Sequence, residues 1–453
     1  MVALPFLRGF TARFCQHMSQ SDRRVVITGT GLVSPIGSSW TELWQSLSEA
    51  KSGIDFLSRV PHDHLPSKIG GEATSFTGSI DDFGELEKKL KRSVKKSLKL
   101  MCREIEMGVA SAQFALAQSQ LSLGVYDPQR IGTMFGSDYI ITEPQEFSAG
   151  IQNSKDDSKF EFEKWAENGI PNVEPLWLLK YLPNMPASHV AIFNDLRGPS
   201  NSLTVREASS NLAIAEATAI IKRGTADQMV TGSTGSRIHM LRTLHCTLQE
   251  QLAKCEDHEN DPTKASRPFD SARSGMVMGE GAGCLILEEF ELAKSRGATV
   301  LGEVIGYGSS TVADKKGVAD YKTAFSNVIA MALEVAGIKA SDLGHVNAHG
   351  LSAIRCDKDE AQAISEACGS TTPVVAMKGA MGNLGAGSGI VEIIGSLLAL
   401  EHGTLFPTLN HRDTDSDCPI NVVTEVGVSP GSSFINLSIT PQGQASAVII
   451  RTP

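Results

Sequence analysis

Along the chain, short runs of β-branched and aliphatic residues closed by glycine or proline alternate with longer stretches whose apolar positions recur at helical spacing. Over 23–37 the string RRVVITGTGLVSPIG is a β-branched run punctuated by Gly29, Gly31 and Pro35, and a helical stretch follows over 39–50. Further strands are predicted at 131–136, at 228–232 after a helix closed by Lys222, Arg223 and Gly224, at 345–348 and at 374–377. Strands alternating with helices predict an α/β architecture with buried parallel strands. A polar stretch over 251–267 leads through SRPFDSARSGMVMGEGAG into the apolar run 284–287. The boundary between two α/β halves is placed near Gly297, giving an extension at 1–22, an N-terminal half at 23–296 and a C-terminal half at 297–453. No short tandem repeat or low-complexity tract interrupts this order, which excludes solenoids and disordered scaffolds.

Composition narrows the class. The chain has 453 residues, 41% of them apolar, with 41 basic against 51 acidic residues and a net charge of -10. That balance argues against nucleic acid or an anionic membrane as partner. Apolar runs such as 393–400 fall short of the roughly 18 residues a membrane helix needs, so a soluble chain is expected. Eight scattered cysteines, with no C-x-x-C pair, fit a reducing compartment and neither a disulfide framework nor a metal site. The first 21 residues carry Arg8 and Arg13 and no acid. They read either as a disordered extension, with Met18 as an internal start, or as a targeting helix, so the expected location is cytoplasmic with mitochondrial as the alternative.

Three motifs invite chemistry without supporting it. Gly29-x-Gly31-x-x-Ser34 follows a strand as a dinucleotide loop does, but its third glycine is Ser34 and Pro35 comes at once. Asp413, Asp415 and Asp417 alternate as in a calcium loop, yet Cys418 and Thr424 stand where that loop needs glycine and glutamate. His62 and His64 flank Asp63 in a proline-bounded turn with no third ligand near. No cofactor and no metal are therefore expected. The run 88–103 is more informative, because Lys88, Lys89, Lys91, Arg92, Lys95, Lys96, Lys99 and Arg103 occur without one acid. On a single helix most of these share one face, which reads either as a solvated surface or as a docking site for an acidic partner.

Several strings taken jointly resemble one family, the β-ketoacyl-acyl-carrier-protein synthases of the thiolase fold, above all the elongating synthases of fatty acid and polyketide assembly. They are RRVVITGTGLVSPIG, LRGPS at 196–200, SRPFDSARSGMVMGEGAG at 266–283, VNAHG at 346–350, and MKGAMGNLGAGSGIVE through LALEHGTLFPTLN at 377–410. The resemblance implies two similar α/β halves in a five-layered α-β-α-β-α arrangement, a homodimer or a heterodimer with an intact synthase, and acyl or malonyl thioesters as ligands. It also implies an acidic acyl carrier protein as partner, docking on Lys88, Lys89, Arg92, Lys95, Lys96, Lys99, Arg103 and Arg206.

In that family a cysteine thiolate takes the acyl chain, and two histidines promote decarboxylation and carbon-carbon bond formation; a helix N-terminus favours such a thiolate. Here Glu207 occupies the nucleophile's place, after Val205 and Arg206. His349 matches the first histidine, Lys378 the family's lysine and Glu392 its downstream glutamate, while the second histidine's position holds Asn383. The glycine-rich gate is replaced by Ser438, Ile439, Thr440, Pro441 and Gln442. A carboxylate cannot replace the thiol, since an acylated carboxylate is a mixed anhydride open to water. Glu207 is expected near His349 and Lys378, its pKa lowered by those cations and the helix dipole. Cys246 and Cys356 sit in other motifs and read as small buried thiols. The resemblance therefore implies a non-condensing homologue similar to polyketide chain-length-factor subunits. The alternatives are an active 3-oxoacyl-acyl-carrier-protein synthase, a malonyl-thioester decarboxylase using His349 and Asn383, or a carrier-protein binding module without catalysis.

Overall fold

Strand β1 (Val25–Val33) is buried at every position, which requires packing on both of its faces. Helix α2 (Arg103–Ser119) presses so closely on one of them that a Cβ on Gly29 would lie 2.5 Å from the Ala115 carbonyl oxygen, and one on Gly31 2.1 Å from that of Ser111. The glycines of the dinucleotide-like string thus serve strand-helix contact. The computed structural model describes residues 23–61, 65, 67–254 and 260–453, so the 1–22 extension, His62 and His64 lie outside the described residues.

The other principal strands are β2 (Ile131–Ser137), β3 (Ser200–Thr204), β4 (Gln228–Ser236), β5 (Met278–Glu289), β6 (Gly302–Thr311), β7 (His345–Asn347), β8 (Pro373–Val375), β9 (Ser433–Ile439) and β10 (Gln444–Arg451). Those named here follow the order β8-β7-β9-β10-β6-β1-β5-β4-β2-β3. The first five strands are arranged first-fifth-fourth-second-third, and so are the second five. Both sets repeat the same pairings, antiparallel for first with fifth and fifth with fourth, parallel for fourth with second and second with third. The halves meet through a short antiparallel contact of Val26 and Ile27 with Glu303 and Gly302. The expectation of parallel strands is corrected here, because the sheets are mixed. A strand buried on both faces is a continuous apolar run whatever the direction of its neighbours.

The helices that matter to the site are α1 (Lys88–Ser97), α2 (Arg103–Ser119), α3 (Met185–Asn194), α4 (Ser209–Lys222), α5 (Met240–Gln249), α6 (Tyr321–Ala336), α7 (Ile354–Cys368) and α8 (Ser388–His402). Helix α2 lies on β1, β5 and β4, and α6 lies on β6 and β10 with α7 against it. Helices α4 and α8 contact strands of both halves and each other. The result is the five-layered thiolase-like arrangement, with α4 and α8 in the middle layer. Helix α8 carries a continuous apolar run and is buried from Ser388 to Ala399, as a helix between two sheets must be. Among the described residues no helix is long and apolar enough to cross a membrane.

Candidate active site

The chain leaves β3 and enters α4 through a tight turn, Arg206–Ala208. Ser209 Oγ ties this turn down, accepting from Val205 N at 2.8 Å and donating to the Ser137 carbonyl at 2.9 Å. Arg206 is held at φ +49°, a left-handed conformation that costs a residue with a Cβ about 1–3 kcal/mol. The turn buries Glu207 to 1% exposure.

Such a carboxylate needs charged partners, and it has two. The Arg237 guanidinium, itself fully buried, binds Glu207 Oε1, and the Arg206 Nε stands 3.6 Å from Glu207 Oε2. Both arginines also reach Glu250 Oε1, Arg237 at 2.7 Å and Arg206 at 2.6 Å. The four side chains close an alternating ring of two cations and two anions. Burial works against the Arg237 charge, but Glu250, Cys246 and Asp138 hold it above the ordinary arginine range. Burial likewise opposes the Glu250 charge, and Arg237 and Arg206 more than offset it.

The expectation that His349 and Lys378 supply the cations facing Glu207 is corrected by this geometry. Lys378 Nζ binds Glu392 and donates to the His349 carbonyl at 2.8 Å. His349 is held well below its ordinary pKa by burial and by the Lys378 and Arg237 charges, so its imidazole is neutral. Arg237 and Glu250 were missed in the sequence, where the one available signal was the adjacent pair Arg206-Glu207 heading an apolar helix.

The loop carrying His349 hangs on two buried carboxyls of α7. Glu360 accepts from His349 N at 2.6 Å and Gly350 N at 2.8 Å, and Asp357 accepts from Leu351 N at 2.9 Å and Ser352 N at 3.0 Å. Burial pushes Glu360 up to about 8 and Asp357 up to about 6, against these donors. Both folded-state values lie above the ordinary carboxylate range of about 4. Between about pH 5 and 8 the folded chain therefore binds more protons than the unfolded chain, and this contribution to stability falls as pH rises. A Glu360→Gln variant is expected to lose less stability than wild type over that window in urea titrations; an equal loss in both contradicts the assignment.

Asn383 lies behind Glu207. Its Nδ2 donates to Glu207 Oε1 at 3.1 Å, and its Oδ1 accepts from Gly385 N at 3.1 Å. The segment read in the sequence as a replaced gate is a β-hairpin: Ser438 and Ile439 pair with Ser446 and Ala445, and Thr440, Pro441, Gln442 and Gly443 make the turn. Gly443 N donates to the Thr440 carbonyl at 2.9 Å and Thr440 N to the Gln444 carbonyl at 3.0 Å. Pro441 has no N–H to offer, and its carbonyl accepts from the Tyr321 hydroxyl at 3.1 Å. Glu207, Glu250, His349, Ile439, Thr440 and Pro441 line one pocket, joined by Cys356. Burial pushes the Cys356 and Cys246 thiols up, so neither is a ready thiolate.

The basic run is not one helix. Helix α1 ends at Ser97, a short turn covers Leu98–Leu100, and α2 begins at Arg103. Lys88, Lys89, Arg92, Lys95, Lys96 and Lys99 are exposed. Arg103 turns inward onto buried Glu280 at 2.7 Å and the Ala73 carbonyl at 2.9 Å, and Arg206 belongs to the buried ring. Neither stands on the exposed basic face, which corrects the docking set by two residues. Two of the three calcium-like aspartates are paired, Asp415 with Arg273 at 2.6 Å and Asp417 with Lys358 at 2.8 Å.

Residues 22–293 match the beta-ketoacyl synthase N-terminal domain and residues 301–412 its C-terminal domain. The chain belongs to the β-ketoacyl synthase family. It is 32% identical over 434 residues to 3-oxoacyl-acyl-carrier-protein synthase 2 of Rhizobium meliloti, covering 91% of this chain and 96% of that one. The protein of the same name from Synechocystis is 30% identical over 88% of this chain and 91% of its own. A crystal structure of a β-ketoacyl synthase from Burkholderia phymatum superposes with a TM-score of 0.82 at 25% identity, covering 95% of this chain and all of that one. The ishigamide ketosynthase/chain length factor superposes with a TM-score of 0.81, also at 25% identity, over 95% of this chain and 99% of its own.

Proposed function

We propose that this β-ketoacyl synthase homologue does not condense acyl chains itself and serves fatty acid or polyketide assembly as a chain-length-factor-like subunit beside an intact Cys-His-His synthase. The observation that carries this reading is the commitment of Glu207 to Arg237, Arg206 and Asn383. A carboxylate so held has no thiol chemistry, and its acylated form is a mixed anhydride open to water. The likeness to the ketosynthase/chain length factor supports the role. Strand β3 supports the pairing, since it forms an unpaired edge of its half-sheet onto which a second chain can add.

The decarboxylase reading is weakened by the same contacts, because the Asn383 amide is spent on Glu207 and the pocket floor bears carboxylates that repel a malonyl group. The test is the intact mass of the protein after incubation with an acyl carrier protein carrying an acyl thioester. No acyl adduct is expected; an adduct mapped to Glu207 or to a cysteine defeats the proposal.

The exposed cations of α1 are proposed as the carrier-protein dock, by complementarity with an acidic partner. Reversing Lys88, Lys95 and Lys96 to glutamate is expected to weaken carrier-protein binding roughly tenfold or more at low salt and less at high salt. Calorimetric titration checks this, and unchanged affinity at low salt removes α1 from the interface.

A further inference from the structure

We infer that the ring of Glu207, Arg237, Glu250 and Arg206 is a plug that makes the pocket selective for an unloaded, thiol-ended pantetheine arm and closes it to the acylated arm. The inference rests on the proposal that a carrier protein is the partner, and it names what that partner presents. The mouth of the pocket is polar and exposed, with Gln249, Gln251 and Arg355, while its floor is Glu207, Glu250 and His349. Its open volume is about 110 Å³, room for the thiol end of an arm whose remainder lies along the mouth, and not for an acyl tail beyond that end. Behind the floor, in place of apolar space, stands the fully buried Arg237, its Nη1 2.7 Å from Glu250 and 3.3 Å from Cys246 Sγ. An acyl tail can advance only by breaking this ring and stripping charges of their partners, which is costly in a dry interior.

The ring and floor also hold buried polar atoms without a hydrogen-bond partner. Glu207 Oε2 and Glu250 Oε2 are acceptors of this kind and Arg206 Nε and Arg237 Nε donors, with His349 Nδ1 beside them, and a thiol can donate to the first pair and accept from the second. A pantetheine arm brings a thiol at its tip and amide N–H groups along its length, while the amides and the cation at the mouth match its carbonyls and phosphate. Acylation removes the tip donor and adds the tail that the ring excludes.

The experiment titrates the full chain with 4′-phosphopantetheine and with its octanoyl ketone analogue, in which a methylene replaces the thioester sulfur and the tip carries no donor, and follows heat. Wild type is expected to bind the thiol form roughly tenfold or more tightly than the octanoyl form. The combined variant Arg206→Met, Glu207→Gln, Arg237→Leu and Glu250→Gln is expected to reverse that preference. The wild-type comparison needs no substitution and decides the matter even where the variant does not fold. Equal or tighter binding of the octanoyl form by wild type overturns the plug while leaving the carrier-protein reading in place. Binding of neither form likewise overturns the plug, while the carrier-protein reading stands or falls by the α1 titration.

Discussion

Glu207→Cys is expected to yield a protein that still makes no β-keto product. On the reading proposed above, the substitution puts a thiol at the nucleophile's place and leaves everything else that condensation needs unrestored. Arg237 and Arg206 remain beside the new side chain, and two guanidinium groups stabilise a thiolate. The variant is therefore expected to react with iodoacetamide at position 207. Alkylation without condensation separates a reactive thiol from a working site. On the same reading the second histidine's place still holds Asn383, whose amide is neither a general acid nor a general base near neutral pH, and residues 438–443 still form a hydrogen-bonded hairpin turn. The thiolate keeps the negative charge but is shorter than the glutamate and cannot span Arg237 and Arg206 as the carboxylate does, so a loss of stability is also expected. Mass spectrometry of the carrier-protein products and urea unfolding read the two effects; substantial condensation by this single variant contradicts the account.

Arg237→Ala is expected to be among the most destabilising single changes in the chain. Arg237 is fully buried and ties Glu207 to Glu250. Its loss leaves two buried carboxylates sharing Arg206, and breaking a buried pair in this way costs about 3–5 kcal/mol. The carboxylates are expected to take up protons instead, so the deficit is largest at high pH and shrinks as pH falls. Arg237→Met combined with Glu207→Gln and Glu250→Gln removes the charges together and is expected to recover most of the loss, because the dominant penalty is an unpaired charge and not a missing attraction. Urea midpoints for wild type, the single and the triple variant at pH 6 and pH 8 give the comparison. A single variant within 1 kcal/mol of wild type, as typical of surface positions, contradicts the ring.

The strands were legible because each is a β-branched run ended by glycine or proline, and β1, β2, β4, β7 and β8 fall where those runs do. Their directions were not legible, since β5 is buried at every position but its last and β9 at every position, and a strand covered on both faces reads the same whether its neighbours run with or against it. Sequence strings located Glu207, His349, Lys378 and Asn383, but not what holds them. Arg237 and Glu250 come from either side of α5, 30 and 43 residues past Glu207, and only the fold closes the ring. Arg103 and Arg206 were grouped with surface cations on charge alone. The helix break at Met101 and Cys102 is invisible in a run whose basic spacing continues through it, and the left-handed φ of Arg206 leaves no mark in composition.

The most direct test of the central claim is to incubate the purified protein with an acyl-loaded carrier protein and malonyl carrier protein, and to weigh the carrier-protein products beside an intact synthase as positive control. The account predicts the two-carbon-longer β-keto species in the control and none with this protein. Appearance of that species with this protein would mean that Glu207, or a group beside it, supports condensation, and would contradict the claim.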